Sequence, residues 1–418
     1  MKIHSVHLKN FRGIGDLELD FTDRINVLVG VNGVGKSAVL DALAILLSQV
    51  SWRIYGNYAK ARPFSPDDIE VGKAFTRVDV LGELSGLPVN WRLARNRKAG
   101  AHPPERSSDL QPVNTVVSYH FGRQPADAPR SDDFPLMVYY DVHRAVIKAP
   151  MRVREKARDH PLEAYVDALE HNGADFKRFF IWFRNQEDVE NEQRRDNPNY
   201  RDKGLDTVRR AIEDFLGIRD PRIRRKPLRM TVDKAGIALN VNQLSDGEKC
   251  MLALVGDIAR RLAMLNPGLE DPRFGKGVVL IDELELHLHP GWQCEMIKKL
   301  SEAFPRCQFI VSTHSSLVLS HVHPHGIWLM QCGSQGVFAS RPRTSFGMDS
   351  SRILEELMDV PARESGTQFR LGELFAALER NHLSNAKDLL EGLSRTAPDI
   401  PELVRARALL KRKELLGK

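Results

Sequence analysis

The sequence predicts an α/β fold: a mixed, largely parallel sheet with flanking helices, a β-rich insertion and a small helical C-terminal region. Three observations carry this. A glycine-rich turn, Gly30 to Ser37, joins the strand pattern INVLV to the apolar helix pattern SAVLDALAILL. Two further apolar runs, GVVLI and QFIVST, flank the helical segment WQCEMIKKLSEAF, as expected of strands buried on both faces. From Ser350 onward, Leu, Ala and charged residues alternate at helical spacing.

Composition bounds the rest. At 418 residues, 42% hydrophobic and 28% charged, the chain can bury a full core and is neither disordered nor fibrous. Sixty-one Lys and Arg against 55 Asp and Glu leave +6, which permits nucleic-acid contact without demanding it. The start MKIHSVHLKNFRG has no apolar signal-type core, and no later stretch reaches roughly 18 consecutive apolar residues. A cytoplasmic chain with no membrane partner is therefore expected. Cys250, Cys294, Cys307 and Cys332 form no C-x-x-C pair and are expected to be reduced and structural.

In chain order, Ile3 to Leu8, Leu17 to Phe21 and Ile25 to Val29 read as strands, and Ser37 to Val50 as a helix. Between Arg62 and Pro135, β-like pieces (VDVLGEL, VNWRLAR, TVVSYH) alternate with Pro- and Ser-rich loops. Leu162 to Arg195 and Asp206 to Leu216 read as helices, neither carrying coiled-coil heptads. LRMTVDKAGIALNV is β-type, and LSDGEKCMLALVGDIARRLAML opens an amphipathic helix at a turn. A head over residues 1–341, with hairpins and helices inserted at about 52–235, is expected to precede a helical region over 342–418 that serves partner docking or oligomerisation.

The chemistry-bearing residues are compact in sequence. Gly30-Val31-Asn32-Gly33-Val34-Gly35-Lys36-Ser37 matches G-x-x-x-x-G-K-[ST] between a strand and a helix. Gly30, Asn32, Gly33 and Gly35 let the backbone curl so that its N–H groups face phosphates. Lys36 reaches the β- and γ-phosphates, and the Ser37 hydroxyl suits Mg²⁺. A buried strand, Val278 to Ile281, runs into Asp282 and Glu283. Two carboxylates there make sense with a cation: Asp282 for Mg²⁺ and Glu283 to orient or deprotonate the attacking water. ATP and Mg²⁺ are the expected ligands.

Leu244-Ser245-Asp246-Gly247-Glu248-Lys249 lies 38 residues before Asp282, and QFIVSTHSS places His314 32 residues after it. With these motifs in this order the chain resembles the ABC-type ATPases, more narrowly their RecF/SMC-like branch, which includes the OLD ATPases. The resemblance runs from residue 1 to about 320, through LKNFRG, the P-loop, LSDGE, IDELELHLHP and STHSS. It implies an ATP-sandwich dimer or multiples of it, in which Ser245 and the Gly247 N–H of one subunit close the site of the other. It also implies that His314 contacts the γ-phosphate and that Phe11 and Arg12 lie near the nucleotide.

Several departures matter. His289 stands where transporter-type relatives carry the D-loop Asp, and His287 and His289 read as loop residues rather than metal ligands, as does the HVHPH run. LMVYYDVHR, ending in Asp141, His143 and Arg144, is a Q-loop candidate.

Ser37 and Leu244 lie 207 positions apart, and the residues between them contain no long coiled coil, which excludes an SMC arm. After Ser316 there is no D-x-D pair, which argues against a Toprim nuclease in this chain. FKRFFIWFRNQEDVENE, VYYDVHRAV and SFGMDSSRILEELMDVPARE resemble the PtuA-type ATPases of Septu systems in phage-defence operons. That resemblance implies a separately encoded partner nuclease of HNH type, or of Toprim type as in related systems, with DNA engaged through the complex and no intrinsic nuclease. A RecF-like repair and recombination ATPase is the competing expectation. Two basic groups, Arg222 to Arg229 and Arg92 to Lys98, are solvated faces or phosphate contacts.

Overall fold

The computed structural model describes the chain apart from residues 56–59, 99, 101–102, 123–133, 143–160, 171–175, 335, 362 and 417–418. It divides into two units, Met1–Met348 and Asp349–Lys418.

The first unit is organised by a six-stranded sheet in the order β13-β12-β3-β11-β10-β6. β3 (Ile25–Val29), β6 (Leu136–Tyr140), β10 (Gly277–Ile281), β11 (Cys307–Thr313) and β12 (Ile327–Gly333) run parallel, and β13 (Gly336–Ser340) closes the edge antiparallel to β12. Every residue of β6, β10 and β11 is buried, because these strands are covered on both faces. A second, antiparallel sheet has the order β2-β1-β4-β5: β1 (Lys2–Phe11), β2 (Ile14–Asp20), β4 (Phe75–Leu84) and β5 (Leu87–Asn96). Helix α1 (Lys36–Tyr55) touches β6, β10 and β11 of one sheet and β1 and β4 of the other. That placement explains why it is buried along most of its length. Among the described residues it is the one helix long and apolar enough to cross a membrane, and it lies mostly buried inside the unit. Trp91 Nε1 of β5 donates to the Leu46 carbonyl of α1 at 3.2 Å and fixes the second sheet on it.

The insertion differs from its sequence reading in two places. TVVSYH is not a strand: it belongs to α2 (Gln111–Phe121), which starts with Pro112 in its first turn. Val113, Val116 and Val117 face inward at i, i+3 and i+4, so the helical period prevails over the β-propensity of valine. The helix expected from Leu162 begins as a helix proper at α3 (Phe176–Asp196), with Pro161–Tyr165 a separate 3₁₀ turn. α4 (Lys203–Leu216) is capped by Asp202, which accepts from the Leu205 N–H, and ends at the left-handed Gly217. A third, three-stranded sheet follows: β7 (Arg219–Arg225), β8 (Leu228–Lys234) and β9 (Ile237–Asn240). Its last strand leads into α5 (Asp246–Leu265), whose Gly256 lies so close to Phe179 of α3 that a Cβ would sit 2.8 Å from the ring. α6 (Pro290–Ala303) and the single turn α7 (Ser316–Leu319) complete the unit's helices.

A buried ionic cluster ties α5 to the main sheet. Asp257 accepts from Arg260 and Arg261 and from the Tyr140 hydroxyl at the end of β6. Its carboxyl pKa is held below the usual range: burial alone would raise it, and the two guanidinium groups outweigh burial.

The second unit consists of α8 (Ser350–Glu356), α9 (Ser365–Glu379), α10 (Leu383–Thr396) and α11 (Pro401–Leu416). Its core gathers Leu371, Leu374 and Leu378 with Leu390, Leu393 and Leu403, a stripe from each of three helices. Of the cysteines, Cys250 and Cys307 are buried, but Cys332 is exposed at the β12–β13 turn, so it has no packing role of the kind expected.

Candidate functional site

The P-loop leaves β3 where β12 comes closest. A Cβ at Gly30 would sit 2.3 Å from the Met330 carbonyl, so only glycine fits there. Gly33 and Gly35 have φ of 82° and 107°, the left-handed backbone that curls the loop into the start of α1. Asn32 and Ser37 are exposed, whereas Lys36 is 5% exposed. Its Nζ folds back to donate to the carbonyls of Gly30 (2.8 Å) and Val31 (3.1 Å). Burial lowers the lysine pKa, and Asp282, Glu283 and Glu285 counter that shift. The ammonium and three carboxylates therefore share one field, although they come from two separate stretches of chain.

At the end of β10, Asp282 is 3% exposed and accepts from the Ser312 hydroxyl of β11. The same Ser312 Oγ accepts from the Glu283 N–H at 2.8 Å. One hydroxyl thus fixes both acidic residues. Glu283 has φ 47°, and it is half-buried. Glu285, which the sequence reading left without a role, clamps the H-loop: its carboxylate accepts from Thr313 Oγ1 at 2.7 Å and from the His314 N–H at 2.5 Å. Ser315 donates to Gln293 of α6 at 2.6 Å, and Gln293 donates to the Leu288 carbonyl. His314 has its pKa lowered, first by burial and then by Lys36, with the three acids opposing. The structure therefore brings Lys36, Asp282, Glu283 and His314 together, with Glu285 and Ser312 as the braces.

Arg12 is held by carboxylates. Its Nε donates to Asp68 at 2.9 Å, its Nη2 pairs with Asp41 of α1, and its guanidinium lies over the Phe11 ring. Asp41 also receives Arg62 at 2.6 Å. Asp141, at the end of β6, is buried, while His143 and Arg144 of the same Q-loop candidate lie outside the described residues. Burial raises the Tyr139 pKa, followed by the charges of Asp282, Asp41 and Asp141, which places this acidic group beside the end of β10.

The signature segment is built differently. Ser245 is exposed and caps α5: its Oγ accepts from the Glu248 N–H at 3.3 Å, and its own N–H donates to Glu248 Oε2 at 3.0 Å. Glu248 also pairs with Lys234 of β8 at 2.6 Å. A Cβ on Gly247 would sit 2.7 Å from the His287 carbonyl, so glycine lets the signature turn pack on the D-loop. His289 caps α6 through Nδ1, which accepts from the Gly291 N–H at 3.3 Å, and this is a loop role. Among the described residues, the hydrogen bonds of Ser245 stay within its own turn and α5.

Glu285 and Ser312 could have been suspected from the alternation in D-E-L-E and from a lone hydroxyl in a buried strand. Their partners lie 28 to 30 residues away, and that pairing required the sheet.

Such a P-loop, paired acids after a buried strand, a signature helix and an H-loop on one parallel sheet define an ATPase of the ABC, SMC and RecF type. Residues 25–320 match the family described as "AAA domain, putative AbiEii toxin, Type IV TA system", and the chain belongs to that family. It is 30% identical over 425 residues to the Retron Ec83 probable ATPase of Escherichia coli, covering 87% of this chain and 77% of that protein. The Retron Vc95 probable ATPase of Vibrio cholerae is 28% identical, over 77% of this chain and 72% of that one. Septu protein PtuA of Bacillus mycoides is 26% identical, over 76% of this chain and 38% of that one.

Proposed function

We propose that this chain is the ATP-binding and ATP-hydrolysing regulatory subunit of an anti-phage defence complex, forming ATP-sandwich dimers or multiples of them and gating a separately encoded HNH-type nuclease. The observation that carries this reading is an asymmetry. Lys36, Asp282, Glu283 and His314 converge on one end of the sheet, while Ser245 and Asp246 of the signature turn face solvent. A relative named for a Septu system and two named for retrons support the defence setting.

In this reading Lys36 exchanges the Gly30 and Val31 carbonyls for phosphate oxygens, and the loop N–H groups hold the rest of the phosphate chain. Ser37 and Asp282 offer hard oxygen donors, the first next to Lys36 in the chain and the second acting electrostatically on Lys36, and such donors suit a magnesium ion. When bound, Mg²⁺ neutralises charge on the phosphate oxygens. Glu283 orients the attacking water and takes its proton, and His314, neutral at pH 7, hydrogen-bonds the γ-phosphate. Ser245 and the Gly247 N–H of a second copy close the site. The second unit, roughly the 342–418 region, serves partner docking or oligomerisation, and DNA is engaged through the complex.

Tagged purification of the chain expressed with its neighbouring genes tests this. A stoichiometric HNH protein supports the reading, and a Toprim protein changes the partner class. A lone chain, or recombination factors alone, transfers the reading to a RecF-like repair ATPase. Cleavage of DNA by the purified chain with Mg²⁺ or Mn²⁺ would show that the nuclease is not separate.

A further inference from the structure

The sheet β7-β8-β9 has one buried face and one charged face on which the arginines outnumber their acidic partners. Ile223, Met230 and Val232 point inward, while Arg222, Arg224 and Arg229 are exposed, with Lys226 exposed at the turn between β7 and β8. In the register of the hairpin, Arg224 stands directly opposite Arg229. Like charges in that position repel across the strands and cost stability. Arg222 is answered by Asp220 at 2.5 Å, but among the described residues Arg224, Lys226 and Arg229 make no ion pair. By contrast, Arg225 anchors the hairpin to α3 through Glu187 at 3.1 Å and Asp188 at 2.5 Å. The anchoring arginine is thus separated from the outward ones by function as well as by direction.

We infer that this face binds the phosphodiester backbone of a nucleic acid and reports its occupancy to the signature turn. A polyanion removes the repulsion between Arg224 and Arg229, and guanidinium groups meet phosphate oxygens in bidentate fashion. Residues two apart on β7 are about 6.6 Å apart along the strand, so Arg222 and Arg224 present repeated contacts to a repeating ligand. No residue of β7, β8 or β9 is aromatic, so contact is with backbone and not with stacked bases, and sequence preference should be weak. The route to the ATPase is short. β8 ends at Lys234, whose Nζ holds Glu248, and Glu248 holds the N–H and Oγ of Ser245. This second half of the inference rests on the proposed ATPase reading, whereas the binding half does not.

The experiment is fluorescence anisotropy of the full chain, without nucleotide, against a labelled single strand of DNA, the same sequence as RNA, and the duplex, at two salt concentrations. Arg224→Glu with Arg229→Glu is compared with Arg224→Lys with Arg229→Lys, both on exposed positions outside the core. The inference expects at least a tenfold loss for the Glu pair and near-normal binding for the Lys pair. Neutralising the two arginines as Gln should reduce the salt slope by roughly 1.4 to 1.8. Unchanged affinity in the Glu pair overturns the site, as does equal displacement by polyglutamate, which would mark an acidic-protein surface. The arm that binds most tightly separates DNA from RNA. In a second step, nucleic acid should change ATP turnover of the wild type at least threefold, and Lys234→Gln should bind nucleic acid normally yet lose that response. Turnover that ignores a bound nucleic acid overturns the coupling. Absence of any ATP binding instead overturns the ATPase reading and leaves the binding result intact.

Discussion

The two halves of the nucleotide machinery are built to opposite specifications. On the P-loop side, Lys36 and Asp282 are nearly inaccessible, and the acids and the H-loop are braced by groups distant in sequence: Ser312 on Asp282 and Glu283, Glu285 on Thr313 and His314. On the signature side, Ser245 and Asp246 are exposed, and their bonds close locally, Ser245 with Glu248 and Asp246 with Lys249. A buried, cross-braced group is preorganised for charge that develops within the chain. An exposed cap leaves donors pointing outward, available to a phosphate carried by another copy. The contrast teaches where each half can be damaged: the first by removing a brace, the second by blocking a surface.

The sharpest break lies in the first half. Glu283→Gln keeps side-chain length but removes the proposed base, so steady-state ATP turnover should fall by about 10²- to 10⁴-fold with ATP still bound. A wild-type rate in this variant ends the assignment of Glu283. A break of similar size in free energy, read in stability, is Asp257→Ala. It strands Arg260 and Arg261 in the core and should cost about 3 to 5 kcal/mol in urea unfolding. Lys36→Ala removes the proposed charge-assisted phosphate contact, worth about 3 kcal/mol, and should weaken ATP binding roughly 100-fold by calorimetry.

On the opposite half, Ser245→Arg should leave ATP binding to the single chain within about twofold. It should abolish nucleotide-dependent dimers in sedimentation, because the block acts on the second copy's site. If binding by the monomer falls instead, the signature turn serves its own chain.

The smallest effect concerns pH. The His314 pKa is depressed below the ordinary histidine value, first by burial and then by Lys36. The stability from keeping it neutral is therefore complete above about pH 6.5 and is lost as pH falls through the lowered value. Unfolding curves of the wild type should soften across that acidic window, and those of His314→Gln should soften less.

What was legible in the sequence follows the same division. β3, α1, β10, β11 and the start of α5 announce themselves because their chemistry is local: a loop of spaced glycines, an apolar run ending in acids, an S-x-x-E cap. α2 was misread because Val113, Val116 and Val117 satisfy β-propensity as well as a helical stripe, and only the packing partner decides. Glu285 stayed silent because its partners, Thr313 and the His314 N–H, become neighbours only once β10 and β11 pair in parallel. Arg12 was placed near the nucleotide by resemblance, and nothing in the sequence indicated that Asp41 and Asp68 would hold it. The basic run at 222–229 was visible as charge, but its meaning depended on the hairpin register that sets Arg224 against Arg229.

Glu283 carries a last consequence. Its backbone sits at φ 47°, a region that β-branched side chains avoid and that Asn, Asp and Gly enter most readily. Position 283 therefore sieves substitutions twice, once by the water-orienting role proposed for the side chain and once by what its Cβ does to the turn beneath Ser312. Val or Ile there would tear the Glu283 N–H from Ser312 and loosen Asp282 with it, so a dead enzyme would say nothing about the base. Saturation of this one codon would sort into two populations, lesions of chemistry that keep the turn and lesions of shape that lose it, and only the first population reports on hydrolysis.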